Sequence, residues 1–391
     1  MKCFKYIFQG IKISLSKLVS VFIKINTKYR DVWLVGERKN EAKDNGYHFF
    51  KYVREKHKDK NIYYVITKNS NELNKIREYG NIIFYDSFKH YVYYFLSTKL
   101  ISAHAGSNMP DSPIIWWLKG KGIFKRQVIY LKHGIIKETI QSHRYENTKY
   151  DMIICGAKPE YDFVKKELGY PKENVKYLGL CRFDNLHDFK TKNQIFMMLT
   201  WRKWFDLGDS IKDKVFDEKR FLKSKYFKEI KMFLESKELD KVLSENNIEL
   251  VFHPHHEIQR FIKYFKSISK NIIIAKEGEY DVQELLKSSK ILITDYSSVA
   301  FDFAYMKKPI IYYQFDSEEY YKNHYQKGYF DYEKDGFGDI ASSVFEVVNC
   351  LKNTIDNGAF NQNKYNTRID EFFTLNDKEN CRRTYEEIKR N

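Results

Sequence analysis

The chain has 391 residues, of which 43% are hydrophobic and 17% aromatic, which excludes a disordered chain and allows two α/β cores. Its 68 Lys and Arg against 52 Asp and Glu leave a net charge of +16, pointing to a polyanionic partner: nucleic acid, anionic lipid or a phosphate-rich substrate. Lysines are spread along the whole sequence rather than gathered in a basic stripe with interleaved aromatics, which argues against nucleic acid. The cysteines (Cys3, Cys155, Cys181, Cys350, Cys381) lie far apart without a C-x-x-C pair, so neither a zinc knuckle nor a disulfide framework is indicated. That usage suits a reducing cytoplasm.

Residues 1–29 place Phe4, Ile7, Phe8, Ile11, Leu15, Leu18, Val19, Phe22 and Ile25 at helical spacing, interrupted by Lys2, Lys5, Lys12, Lys17, Lys24 and Lys28. The lysines leave no apolar run long enough to span a bilayer and break a signal-peptide pattern. The segment reads as a basic amphipathic helix lying on an anionic membrane surface, or as a helix packed on the first domain.

From residue 30 short apolar runs alternate with helical stretches, the pattern of parallel α/β units. Strands are predicted at Val32–Val35, Ile62–Ile66, Ile82–Tyr85, Leu100–Ala103, Val128–Leu131 and Met152–Cys155. A second series runs Val175–Leu178, Ile195–Leu199, Leu250–Phe252, Ile272–Ala275, Ile291–Thr294 and Ile310–Tyr313. The charged stretch Asp206–Asn246 and the tail from Ile340 onward read as helical. The expected architecture is two Rossmann-like domains facing across a cleft, residues 30–187 on the acceptor side and 188–391, with C-terminal helices, on the donor side.

Ligands of open α/β sheets bind beyond the carboxyl ends of the strands, so the residues just after each strand carry the functional signal. After Ile291–Thr294 come Asp295, Tyr296, Ser297 and Ser298 and then a helix start. The serines either cap that helix or join its free N–H groups in holding phosphate. After Leu250–Phe252 stands His253-Pro254-His255-His256. Adjacent side chains diverge and no carboxylate set accompanies them, so phosphate contact or an ordinary exposed loop is favoured over a metal site. His133-Gly134 closes Val128–Leu131, and an imidazole there could take a proton from an attacking hydroxyl. Arg202, in Thr200-Trp201-Arg202, could hold a diphosphate bidentately or stack on Trp201 or Trp204. Arg182, in Gly179-Leu180-Cys181-Arg182-Phe183-Asp184, could act likewise or bridge the domains.

Taken in order, these motifs, with Glu37…Asp44-Asn45 near the start and Gly328-Tyr329-Phe330-Asp331-Tyr332-Glu333 near the end, resemble the CDP-glycerol glycerophosphotransferase family of teichoic acid primases and polymerases. The resemblance covers about Val32 to Val348. It implies a GT-B-like fold with the active site between the domains, and a peripheral position on the inner face of the cell membrane. It implies His133 and His253 as the catalytic pair. Arg202, His255, Asp295, Ser297 and Ser298 would hold the donor diphosphate, supported by Gly134, Arg182 and Thr200. Two departures stand out: His133 sits in Lys-His-Gly-Ile-Ile where the family has Trp-His-Gly-Thr-Pro, and Leu199 replaces a proline before Thr200. The implied reaction is in-line attack by a hydroxyl of a lipid-linked or glycan acceptor on the β-phosphorus of CDP-glycerol, releasing CMP. No DxD-like motif stands where the donor would sit, so neither a metal nor any cofactor beyond the donor is expected. A CDP-ribitol donor, and a nucleotide-sugar glycosyltransferase on the same fold, remain the alternatives.

Overall fold

The computed structural model describes residues 2–106, 108–123, 126–205, 218–358 and 363–390, with residues 2–6, 363 and 364 in backbone only. Two compact units share the chain: Met1–Ile135, Ser142–Asn185 and Asp377–Asn391 form the first, and Ile136–Gln141 with Leu186–Asn376 form the second.

The first unit is a seven-stranded sheet in the order β3-β2-β1-β4-β5-β6-β7. Its strands are β1 Val32–Gly36, β2 Ile62–Ile66, β3 Ile82–Phe84, β4 Ser97–Ser102, β5 Gln127–Tyr130, β6 Met152–Cys155 and β7 Val175–Tyr177. Each pairing is parallel. Parallel strands are covered on both faces, which is why β1 (VWLVG), β2 (IYYVI) and β6 (MIIC) are apolar and buried throughout. One face packs on helix Asn45–Lys56 and the other on helix Phe88–Leu96.

The second unit holds six parallel strands in the order β10-β9-β8-β11-β12-β13. They are β8 Gln194–Met198, β9 Glu249–Phe252, β10 Ile272–Ile274, β11 Ile291–Thr294, β12 Ile310–Tyr313 and β13 Gly338–Ala341. In both sheets the strand order reverses once, between β1 and β4 and between β8 and β11. The crevice at such a reversal is where open α/β sheets take ligands.

Two details of the strand assignment change. The run at 175–178, expected in the second series, is the edge strand of the first sheet, paired with β6. The tail from Ile340 is not purely helical, because β13 pairs with β12 before helix Val344–Asp356 begins. Of the stretch 206–246, residues 206–217 lie outside the described residues, and helices Lys225–Leu234 and Lys237–Glu245 occupy much of the rest.

The last helix, Asn380–Arg390, belongs to the first unit, whereas the sequence pattern places all of 188–391 in one domain. Its apolar face carries Cys381, Tyr385 and Ile388 into the first unit's core, and the Tyr385 ring meets Trp33 at 5.8 Å. Asp184 anchors its start, accepting the backbone N–H groups of Asn380 and Cys381 at 2.9 Å each and the Asn380 amide at 2.7 Å. Gly179 (φ +81°) lies so close that a Cβ there would sit 1.7 Å from the Asn380 side-chain oxygen. Asp184→Ala is expected to cost about 2 kcal/mol, the worth of a helix cap with a second amide partner, measured as a lower urea midpoint.

The N-terminal helix Lys2–Ile25 packs on helix Phe88–Leu96 through Ile13, with Val19 and Ile23 against the same core. Its opposite side leaves Ile7, Phe8, Ile11, Leu15, Leu18, Val21, Phe22 and Ile25 exposed, each between 49% and 73%. No described helix is long and apolar enough to cross a membrane.

Candidate functional site

In the second unit three strand tips are joined by one buried ionic cluster. Arg202, following β8, is 0% exposed. Its Nε and Nη2 donate to Asp316 Oδ2 and Oδ1 at 2.8 and 2.9 Å, and its Nη1 pairs with Asp295 Oδ2 at 2.9 Å and donates to the Thr200 carbonyl at 2.5 Å. Asp295, after β11, also accepts the N–H groups of Thr200 and Tyr296 at 2.7 and 2.6 Å. Burial opposes the guanidinium charge, but Asp295 and Asp316 outweigh it and raise the Arg202 pKa above its ordinary value. Burial pushes the Asp295 carboxyl upward, with Arg202 holding it down. The rings of Tyr226, Tyr296 and Tyr320 surround the guanidinium at 4.9 to 5.3 Å.

Two residues named in the sequence analysis are engaged within the protein. Arg202 and Asp295, expected on the donor diphosphate, are sealed against each other and Asp316. An arginine at a strand tip satisfied by two carboxylates and a carbonyl has no fork left for phosphate. Together they form a brace across the strand tips.

Ser297 and Ser298 are partly exposed at the start of helix Val299–Tyr305, and Ser298 makes no side-chain cap hydrogen bond. His253 is buried at the tip of β9, its backbone N–H bonded to the Met197 carbonyl at 2.9 Å. His255 is partly exposed and its Nδ1 accepts the Glu257 N–H at 3.2 Å, capping the short helix His256–Tyr264. Its ring lies over Trp201 at 6.4 Å and 25°. Thr200 is partly exposed beside the brace. His324, which the sequence reading does not single out, meets Trp201 edge-on at 5.2 Å and accepts the Lys203 N–H at 2.9 Å. Burial and then the Arg202 charge push its pKa down to about 3.

The loop Ile136–Gln141, which belongs to this unit, lies against Gly328. A Cβ on Gly328 would come within 2.1 Å of the Lys137 carbonyl oxygen, so the glycine of the Gly328–Glu333 motif makes room for that backbone.

In the first unit, His133 stands just beyond β5 as an exposed residue, after Lys132, a non-glycine residue at φ +61°. Lys132 is itself buried and paired with buried Glu160. Residues held in that region of backbone space cluster at functional sites, where the surroundings must hold them. Here three contacts do so: Asn45 Nδ2 donates to the Lys132 carbonyl at 2.8 Å, Asn45 Oδ1 accepts the Arg182 N–H at 2.9 Å, and Arg182 Nη1 donates to the His133 carbonyl at 2.7 Å. The same Nη1 pairs with Asp44 at 2.7 Å. Arg182 is therefore a support for the His133–Gly134 turn, where Gly134 is buried. Glu37, just past the end of β1, accepts the N–H groups of Lys43, Asp44 and Tyr47 and shapes the loop that presents Asp44 and Asn45. Burial, with Asp44 adding to it, raises its pKa to about 7 against those three donors.

Although His133 is an exposed residue, the protein packed around its ring pushes its pKa down to about 4, helped by the His104 ring, Arg182 and Arg38 and opposed by Asp44. Its Nδ1 lies 3.4 Å from the Tyr130 hydroxyl. Among the described residues, no group of three or more His, Cys, Asp or Glu side chains is placed to hold a metal ion.

Arg202→Met would leave two buried carboxylates unpaired and is expected to cost about 3–5 kcal/mol. Adding Asp295→Asn and Asp316→Asn should recover part of that loss, read by urea unfolding of the single and triple variants.

The sequence profile of the family described as CDP-Glycerol:Poly(glycerophosphate) glycerophosphotransferase matches residues 17–390. The minor teichoic acid biosynthesis protein GgaB of Bacillus subtilis (strain 168) is 35% identical over 374 residues, 94% of this chain and 40% of GgaB. A teichoic acid poly(glycerol phosphate) polymerase of Bacillus spizizenii is 29% identical over 222 residues, 54% of this chain and 52% of the polymerase. The chain thus spans about half, or less, of the length of these two relatives. Among solved structures, the wall teichoic acid polymerase TagF superposes with a TM-score of 0.64 at 17% identity over 97% of this chain and 92% of that one. A TagF variant soaked with CDPG gives 0.63 at 16% identity over 99% and 95%. At these identities the superpositions show the fold, which is GT-B-like.

Proposed function

We propose that this chain, which belongs to the CDP-glycerol:poly(glycerophosphate) glycerophosphotransferase family, transfers glycerol phosphate, or a related polyol phosphate, from a CDP-activated donor to a teichoic acid type acceptor and releases CMP. The observation that carries this reading is the pair of strand-tip clusters at the two strand-order reversals. One offers hydroxyls and a helix start beside a rigid ionic brace; the other offers a neutral imidazole. Relatives named for teichoic acid synthesis support the acceptor class, and the TagF structure soaked with CDPG supports the donor class.

In this reading the donor diphosphate lies against Ser297, Ser298 and the backbone N–H groups behind them, with His253 and His255 from the tip of β9. Phosphoryl-type transfer depends on positioning and charge stabilisation more than on covalent help from the protein. The helix start and the histidines would offset charge building on the leaving CMP. The acceptor hydroxyl attacks the β-phosphorus, forming the new P–O bond as the bond to the CMP oxygen breaks. His133 takes the hydroxyl proton: with Nδ1–H donating to the Tyr130 oxygen, Nε2 carries the free lone pair. A pKa near 4 keeps that lone pair available throughout the neutral range.

His133→Ala is expected to lower CMP release by about 10²–10⁴-fold while CDP-glycerol affinity, read by calorimetry, stays within a few-fold of the parent. Equal loss of binding would make His133 a donor ligand instead. Assaying CDP-glycerol, CDP-ribitol and UDP-sugars side by side with a lipid-linked acceptor identifies the donor; turnover of UDP-sugars alone would overturn the reading.

The exposed stripe on helix Lys2–Ile25 supports a peripheral position on the inner face of the cell membrane. At about 100° per residue, Ile7, Phe8, Ile11, Leu15, Leu18, Val21, Phe22 and Ile25 cover an arc of about 140°. Lys12 lies on one side of that arc and Lys17 and Lys24 on the other, and residues 1–29 contain no Asp or Glu. A uniformly basic helix repels a second copy and suits anionic lipid. The chain should float with phosphatidylglycerol vesicles and not with phosphatidylcholine vesicles, and Leu18→Glu with Phe22→Glu should abolish flotation.

A further inference from the structure

The imidazole of His104 lies parallel to that of His133, with ring centroids 4.9 Å apart and planes 11° from parallel. His104 follows β4, where the first sheet reverses its strand order. Its N–H donates to Ser102 Oγ at 3.1 Å, and the same hydroxyl donates back to the His104 carbonyl. The preceding Ala103 N–H bonds to the Gly36 carbonyl at 3.2 Å. A rigid strand tip therefore presents the second ring.

We infer that His104 is a positioning residue for the transfer: stacked on His133, it fixes the plane of that ring and keeps it uncharged until the acceptor proton arrives. The inference rests on the function proposed above and deepens it.

The physical case is electrostatic and steric. Two imidazolium rings at stacking distance repel, so a proton on either ring disfavours one on the other. The remaining groups around His133 come from each element near it. Tyr130 and Lys132 share its own strand tip, Arg182 reaches its carbonyl, Arg38 and Asp44 come from the loop after β1, and His143 from the segment beyond Gln141. Asp44 is the one acid among these groups and is engaged by Arg182. Burial first, then Arg38, Lys43 and Arg182, hold His104 near pKa 4 as well, with Asp44 opposing them. Two neutral stacked rings result. With its plane set by His104 on one face and its Nδ1 by Tyr130, the His133 ring has little rotational freedom left.

The test uses the full chain with ¹³C-labelled histidine rings, titrated by NMR as parent, His133→Ala (for assignment) and His104→Phe. Phenylalanine retains a flat ring and removes the second titrating group. The His133 midpoint is expected to rise by about one pH unit in His104→Phe. The acid limb of kcat/KM for CMP release should move upward with it, while CDP-glycerol affinity holds. An unchanged His133 midpoint overturns the inference whether or not the chain turns over CDP-glycerol. If His104→Phe lost transfer as completely as His133→Ala without moving that midpoint, His104 would be the base itself and the inference would also fall. A parent protein that turns over no CDP-activated donor, with the midpoint shift present, would overturn the functional reading alone.

Discussion

A guanidinium sealed between two buried carboxylates sets the carboxyl edge of the second sheet. Burying any one of Arg202, Asp295 and Asp316 alone would be prohibitive; together, with the Thr200 carbonyl and two backbone N–H groups, they offset one another's charge, Asp295 Oδ2 through the ion pair with Arg202 alone. Because the three follow the ends of β8, β11 and β12, the cluster fixes those tips relative to each other. The positions of Thr200, Trp201, Ser297, Ser298 and His324 follow from it. The energy of the cluster goes into geometry, since a buried ion pair adds little net stability over a well-packed apolar substitute.

The first unit solves the same problem with one amide and two ion pairs, Arg182 with Asp44 and Lys132 with Glu160. Asn45 reads the Lys132 carbonyl with its nitrogen and the Arg182 N–H with its oxygen, so the loop after β1, the tip of β5 and the turn at Cys181–Asn185 are tied together. Lys132 can then hold a left-handed backbone that an isolated strand end would relax. In both units a histidine with a depressed pKa stands beside the fixed framework: His133 in the first, His324 in the second. Burial is the largest cause of both shifts, followed by the His104 ring for His133 and by Arg202 for His324. Each imidazole is thereby kept neutral at physiological pH.

Much of the fold is legible in the sequence because buried parallel strands are short apolar runs, and their tips follow from the runs. Strand β13 is not, because Gly338-Asp339-Ile340-Ala341 carries one large apolar side chain and two residues disfavoured in strands. Edge strand β7 looks like the first member of the next series because a pattern of runs carries no pairing partner. The return of Asn380–Arg390 to the first unit depends on Asp184, nearly two hundred residues earlier, a contact no local pattern expresses. At the site, motifs are legible and roles are not. Arg202 follows a strand whether it faces a phosphate or two carboxylates, and only Asp295 and Asp316 decide which. The signal is present, since these two Asp residues also follow strand ends in the same series, but pairing them with Arg202 requires the strand order. His104 stands one residue past Ala103 at the reversal between β1 and β4, and the strand order that marks it out exists only in the folded sheet.

The most direct measurement is a crystal structure of the chain soaked with CDP-glycerol. The account predicts the diphosphate against Ser297, Ser298 and the tip of β9, with Arg202 still buried on Asp295 and Asp316. A diphosphate gripped by the Arg202 guanidinium, with the carboxylates displaced, would contradict it.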